Sequence, residues 1–407
     1  MLVQAAPPLH LTYCLNIHAG ETWAENFAAI RTHAMEVADA FPDRRPFGLG
    51  LRLSARAAAE LSADQSLAVL RTFLGDNGLY AFTINGFPYG QFHDAVVKQN
   101  VYAPDWQTPQ RRDYTNMLAD ILAALLPEGV AGSISTVPGS YKAWVAGGGA
   151  TAAVFAPDAA KVQAMAGMLA DVAAHLAEIR DRTGKDICLA LEPEPDCYIE
   201  TTDESIAFLT GPLLEHGGRH LAACGVAAGR AEEILRRHVG LCVDTAHAAV
   251  EFEDPAADLR KLQAAGIRVA KIQLSAALGV CPTQEGLRQL EPFVDRVYLH
   301  QVKAAGGGCG CESFPDLPEA LARAATASGL GAMRVHFHVP LFWQPAGGLQ
   351  STACLLGEEF WRVVREGACS HLEIETYTFG VLPEGLRQLP VAQSIVREFQ
   401  WVLGRLA

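Results

Sequence analysis

Residues 10–23 read HLTYCLNIHAGETW, an apolar, strand-like run over 10–18 that passes directly into a short polar turn. A nucleotide-binding α/β sheet carries a glycine-rich G-x-G-x-x-G turn after its first strand, because bare backbone must approach a pyrophosphate there. AGETW lacks that turn, and no later strand runs into the fingerprint or into a G-x-x-x-x-G-K phosphate loop. Working outward, Gly and Pro divide the chain into short apolar runs that alternate with longer segments of helical spacing. Strands are predicted at 10–18, 46–54, 80–87, 132–138, 186–192, 239–245, 269–275 and 371–376. Segments rich in Ala, Leu, Glu and Arg, such as 21–40, 110–126 and 159–182, suit crossover helices. The expected fold class is therefore α/β, a (β/α)8 TIM barrel whose chemistry sits at the carboxyl ends of its strands.

Two further strand-like runs, 296–303 and 333–342, make ten candidates for eight places. We expect a single domain over 1–407, with about 280–368 inserted between strands seven and eight and decorating the barrel. The alternative places 333–342 as strand seven. A plain barrel needs roughly 250 residues, so the length leaves room for such a segment.

The chain is 50% hydrophobic and 19% charged, the balance of a globular protein with a large core. It has no run of about 18 apolar residues and no basic-headed apolar start, so the expectation is a cytoplasmic protein without membrane insertion. Its 45 acidic and 32 basic residues give a net charge of −13, which repels phosphate backbones and argues against a nucleic-acid partner. Cys14, Cys188 and Cys242 fall in strand-like runs and read as small hydrophobes. The Cys309, Cys311 pair has no second close pair with which to build a closed zinc site. Aromatics crowd the loops after strands three and four: Phe87, Tyr89, Phe92, Tyr102, Trp106, Tyr141 and Trp144. They either stack on a ring-shaped ligand or pack the loops against the barrel rim.

A carboxylate or imidazole at the end of a buried strand is expensive unless it is solvated, paired or bound to a metal. This chain repeats the feature in ICLALEPEP (Glu192, Glu194), GLCVDTAH (Asp244, His247), VAKIQLS (Gln273), RVHFHVP (His336, His338) and HLEIETYTF (Glu373, Glu375). Singly, each has an ordinary explanation; an Asp before Thr, for instance, caps the following helix. Converging on one barrel mouth they repel one another, and a divalent cation resolves the conflict. Oxygen-rich ligation with one or two histidines suits Mn, Mg, Co or Zn. Two carboxylates from strands five and eight would flank a bound carbonyl compound, a geometry for isomerisation or epimerisation.

These motifs resemble the xylose isomerase-like barrel family of sugar isomerases, ketose 3-epimerases and AP endonucleases. The resemblance implies metal ligands at Glu192, Asp244 and Glu375, with His247 completing the Asp-Thr-x-His motif. The family's strand-seven histidine falls on Gln273, so either its carbonyl oxygen or His338 fills that place. Over nearly the whole chain, including TINGFPYG, GSISTVPG, YLHQV and HFHVPLF, the sequence also resembles the EboE-type metabolite traffic proteins of bacterial ebo clusters. That likeness implies a metabolite-handling role with membrane-protein partners of an export pathway.

The leading expectation is a metal-dependent isomerase or epimerase of a small polyhydroxylated or specialised metabolite, acting through an enediolate. Glu192 and Glu375 would carry the protons. Glu192, Asp244, Gln273, His338 and Glu375 would hold the metal, and His247, His300, Asn85 and His18 would contact substrate. The alternatives are a non-catalytic metabolite-binding barrel and a metal-dependent phosphodiesterase.

Overall fold

The computed structural model describes residues 1–63, 65–90, 98–147, 155–306, 311–326, 329–383, 387 and 389–407. Phe92 and Cys309 lie outside these described residues. The strands are β1 (Leu2–Ala5), β2 (Pro8–Tyr13), β3 (Phe47–Arg52), β4 (Leu79–Asn85), β5 (Gly132–Thr136), β6 (Ile187–Leu191) and β7 (Val239–Asp244). They continue with β8 (Val269–Leu274), β9 (Ala276–Val280), β10 (Val302–Gly306), β11 (Cys311–Phe314), β12 (Leu330–Val339), β13 (Leu349–Ser351) and β14 (His371–Ile374).

All eight predicted barrel strands form, as β2 to β8 and β14. Their sheet runs β1-β2-β14-β8-β7-β6-β5-β4-β3, parallel throughout except for β1, which is antiparallel to β2. Helices such as Pro109–Leu125 and Ala159–Thr183 lie between successive strands, as their composition predicts. The longer one starts where the Asp158 carboxylate accepts from the Ala160 and Lys161 amides, and it stops at Gly184, whose φ of 74° closes the last turn.

The barrel closes between β2 and β3 through one parallel bridge, Cys14 to Gly50, beside which the Thr12 hydroxyl donates to the Gly48 carbonyl at 2.8 Å. A Cβ at Gly50 would run into the Glu373 carboxylate and come within 2.8 Å of the Tyr13 carbonyl, so glycine is what lets the seam fit around Glu373. The interior is polar at this level. Lys271 on β8 and Glu373 on β14 are both fully buried and form an ion pair, and the Lys271 ammonium also donates to the Ser135 hydroxyl at 3.1 Å.

Residues between β8 and β14 build a second sheet, β11-β10-β12-β9-β13, in which every pairing is antiparallel. The run 333–342 belongs here, in β12, and β8 is the seventh barrel strand. The β12–β9 register shifts between Val335 and His338, a bulge of the kind that re-aims side chains. Among the described residues no helix is long and apolar enough to cross a membrane, and the described cysteines are free thiols.

Candidate metal centre

Three imidazoles meet at the carboxyl ends of the barrel strands, and their hydrogen bonds fix their tautomers. His247 Nδ1 faces the Pro193 carbonyl at 3.0 Å and His338 Nδ1 faces the Glu375 backbone carbonyl at 2.9 Å. A carbonyl can only accept, so each Nδ1 carries the proton and each Nε2 presents a lone pair. His336 is fixed one step further away. The Gln301 amide nitrogen donates to the Tyr102 hydroxyl at 2.8 Å and to the Pro195 carbonyl at 3.0 Å, which turns its oxygen toward His336 Nδ1 at 2.8 Å. His336 Nδ1 is therefore the donor as well. Burial holds the His338 imidazole down at about 4 and pushes that of His336 well below the usual histidine range, so both stay neutral at pH 7.

The carboxylates come from the strand ends. Asp244 closes β7 and caps the helix Thr245–Val250 with one oxygen, which accepts from the Ala246 and His247 amides at 2.7 and 3.0 Å and from the Ser275 hydroxyl at 2.6 Å. The ordinary capping role and a ligand role thus fall on different oxygens of one carboxylate. Glu375 accepts from Asn16 at 2.7 Å, from Asn85 at 3.1 Å and from the Gln273 amide, so its orientation is fixed by three donors. Glu192 follows β6 and is 3% exposed.

Four buried atoms here lack any hydrogen-bond partner: Glu192 Oε2, Asp244 Oδ2, His336 Nε2 and His338 Nε2. Each such atom costs roughly 1–3 kcal/mol if nothing satisfies it. Ligand atoms of three overlapping trios lie within 4.8 Å of one another: His247, His336 and His338; Glu192, Asp244 and His247; Asp244, His338 and Glu375. Burial, then the charges of its carboxylate neighbours, pushes Glu192 well above the usual carboxylate range, and the same two causes act on Glu375. For Asp244, burial alone would raise the carboxyl, but His247, His338 and the hydrogen bonds together bring it below its ordinary value. Crowded acids, bare lone pairs and locked imidazoles are what a divalent cation requires of its donors, and these residues fit one.

The other candidates are placed differently. The Gln273 carbonyl oxygen, expected as a ligand, accepts the Cys242 thiol at 2.9 Å, and its amide serves Glu375. Asn85 lines the cavity and holds Glu375. His300 is fully buried outside the cavity lining, with Nδ1 facing the His336 carbonyl at 2.8 Å and its ring against Phe337. His18 is also apart from the cavity, stacked on His33 at 4.6 Å and 3.0 Å from the Tyr13 hydroxyl. Asn16 and Gln301 join the site without a signal in the sequence, while Glu194 and His336, which end apolar runs, and Tyr102, one of the loop aromatics, take places beyond the ligand and substrate-contact residues expected above. The spacing H-x-H in β12 was the available signal, since alternate residues of a strand share a face.

The cavity above these groups encloses about 550 Å³ including its open mouth. Phe87 and Tyr102 line it, whereas Trp106 is fully buried, which is the rim-packing arrangement. Glu194 lines it too, hydrogen-bonded by Tyr102 at 2.8 Å and pushed up to about 7 by burial.

Behind the site, Glu398 of the helix Val391–Leu406 accepts from Thr376 at 2.7 Å and from the Leu341 amide at 3.1 Å. Burial lifts its carboxyl from 4.5 to about 7. The folded chain then binds this proton more tightly than the unfolded chain, so the group's contribution to stability falls as pH rises from 4.5 to about 7 and is level above. Glu398→Gln keeps the accepting oxygen and removes the titration. Denaturant melts at pH 5 and pH 8 should show the variant gaining on wild type by up to about 3 kcal/mol at the higher pH. An unchanged difference would remove Glu398 as the source.

No protein-family model and no curated protein matches the chain. Among solved structures, a xylose isomerase-like TIM barrel protein from Mycobacterium smegmatis in complex with magnesium is 12% identical with a TM-score of 0.51, covering 98% of this chain and 96% of that one. The probable 3-DHS dehydratase AsbF from Bacillus anthracis is 11% identical with a TM-score of 0.47, covering 97% and 98%. The IOLI protein with a binding zinc atom is 11% identical with a TM-score of 0.46, covering 98% and 98%. The Mycobacterium smegmatis protein, at 12% identity, shows a likeness of fold alone, and the fold is a xylose isomerase-like TIM barrel.

Proposed function

We propose that the chain is a divalent-metal-dependent isomerase or epimerase of a small α-hydroxycarbonyl metabolite. One observation carries the reading: three tautomer-locked imidazoles and the carboxylates of Glu192, Asp244 and Glu375 form overlapping buried trios, with unpartnered oxygens on Glu192 and Asp244. Glu192, Asp244, Glu375 and His338 would hold the ion, with His247 and His336 beside it. Mn, Co, Zn or Mg bound there would supply Lewis-acid polarisation of the substrate carbonyl.

The chain's own groups move the protons. Glu192 Oε2, with no protein donor, takes the proton from the carbon beside the carbonyl. Glu375, aimed by Asn16, Asn85 and Gln273, returns one from the opposite side. Gln273 acts as a positioning residue for Glu375, and His247 faces substrate oxygen. The loops that bury these carboxylates exclude bulk water and keep their basicity near that of the carbon acid. In the cell we place the protein in the cytoplasm, handling a specialised metabolite and passing it to membrane partners of an export pathway, as the EboE-type resemblance implies.

Phosphodiester hydrolysis is a second reading, favoured by the three imidazoles, but Lys98 is the one lysine or arginine among the described cavity residues and it is paired with Asp316 at 2.6 Å. The test is elemental analysis of tag-free protein, joined to NMR detection of solvent deuterium entering the carbon beside the carbonyl of D-ribulose, D-fructose and simpler α-hydroxyketones. We expect about one or more equivalents of metal, and exchange that falls 10²–10⁴-fold in Glu375→Gln. Absence of metal, of a thermal shift with Mn²⁺ or Zn²⁺, and of exchange would refute the proposal. Cleavage of bis-p-nitrophenyl phosphate without exchange would establish the second reading instead.

A further inference from the structure

The cavity has two chemically distinct parts. Glu192, Glu375, His247 and His336 belong to the cluster described above; much of the remaining described lining is Phe87, Val101, Tyr102, Tyr298, Leu299 and Tyr377, beside Asn16, Asn85, Lys98 and Glu194. A sugar with a hydroxyl on every carbon trades each of its hydrogen bonds to water for one to the protein, or loses binding energy for each that is not replaced. Among the described residues of this second part, the polar groups of Asn85, Tyr102 and Lys98 are already engaged. The Asn85 amide donates to Glu375 at 3.1 Å and to Cys14 at 3.4 Å, while its oxygen accepts from the Phe87 amide at 3.0 Å. The Tyr102 hydroxyl donates to Glu194 and accepts from Gln301, both at 2.8 Å. Lys98 reaches Asp316 at 2.6 Å and the Asp295 carbonyl at 3.2 Å.

What this part offers instead is ring surface. Phe87 meets Tyr102 edge-on at 6.0 Å, and Tyr298 meets Tyr377 edge-on at 5.2 Å. Such faces and edges receive a flat, weakly polar body. We infer that the substrate carries its adjacent carbonyl and hydroxyl at one end of a largely apolar ring, as an aryl or cyclic α-hydroxyketone does, and is not an open-chain polyol. The inference rests on the isomerase reading for the role of the polar end, and on the lining alone for the body.

Calorimetric titration of the full chain, metal-supplemented and metal-free, with 2-hydroxy-1-indanone and with D-fructose tests it. We expect the indanone to bind at least tenfold more tightly than fructose. Phe87→Ala and Leu299→Ala should each weaken the indanone at least fivefold while metal content stays unchanged. Fructose binding as tightly as the indanone, or both variants binding the indanone like wild type, overturns the inference. Deuterium entry at the hydroxyl-bearing carbon, followed in the same samples, separates the two claims. Tight, wall-dependent binding without exchange upholds this substrate class and counts against the isomerase chemistry. Exchange on fructose with weak indanone binding does the reverse.

Discussion

Replacing His338 by alanine is expected to weaken the protein's hold on Zn²⁺ or Mn²⁺ by about 100-fold or more, measured by competition with a chromophoric chelator. His338 Nε2 is a buried lone pair without a partner, and it is shared by the imidazole trio and by the trio with Asp244 and Glu375. Gln301→Leu should cost roughly 10–100-fold through a different route, because it releases His336 from the tautomer that points its lone pair at the site. His300→Ala removes an imidazole whose Nδ1 faces the His336 backbone carbonyl from outside the lining, and it should leave affinity within about threefold. Wild-type affinity in His338→Ala would show that the imidazole cluster does not bind the ion.

The second large effect concerns stability. Lys271 and Glu373 are each 0% exposed, and burial alone would lower the Lys271 ammonium. The Glu373 carboxylate overrides that and holds it protonated. Lys271→Met leaves a carboxylate in the barrel interior with no cation, below the Glu375 carboxylate, and should lower the unfolding free energy by about 3–5 kcal/mol. The double variant Lys271→Met with Glu373→Leu removes both charges and should recover most of that loss, since an apolar pair of similar volume avoids desolvation altogether. Denaturant unfolding monitored by Trp fluorescence reads all three proteins. A Lys271→Met chain as stable as wild type would mean that Glu373 is already neutral in the fold.

The barrel was legible in the chain because buried parallel strands must be apolar and crossover helices must be long, and those two patterns alternate visibly. The run 187–192 illustrates it: five apolar residues form β6, and the first charge, Glu192, falls just beyond the strand. The acidic part of the site was legible for the same reason, since a carboxylate at such a place is costly without a function. The nitrogen part was less so. His336 and His338 reach the mouth from β12, a strand of the second sheet, and nothing in local spacing says where an antiparallel strand packs on a barrel. His18 misled because it ends a predicted strand that in fact stops at Tyr13, five residues earlier, so its ring turns away to His33. Gln273 sits where expected; only its partners, Cys242 and Glu375, reveal that it orients a carboxylate.

The provenance of those two imidazoles has an evolutionary consequence. The barrel strands and the loops that directly follow them supply the acids and His247, whereas one contiguous stretch, 276–351, supplies His336, His338 and the Gln301 that orients one of them. The oxygen donors and two of the three imidazole donors of the proposed metal site are thereby written in separate parts of the gene. Recombination or divergence confined to that stretch could retune which metal is favoured, and with it the reactivity at the mouth, while the barrel and its acidic residues pass unchanged to descendants.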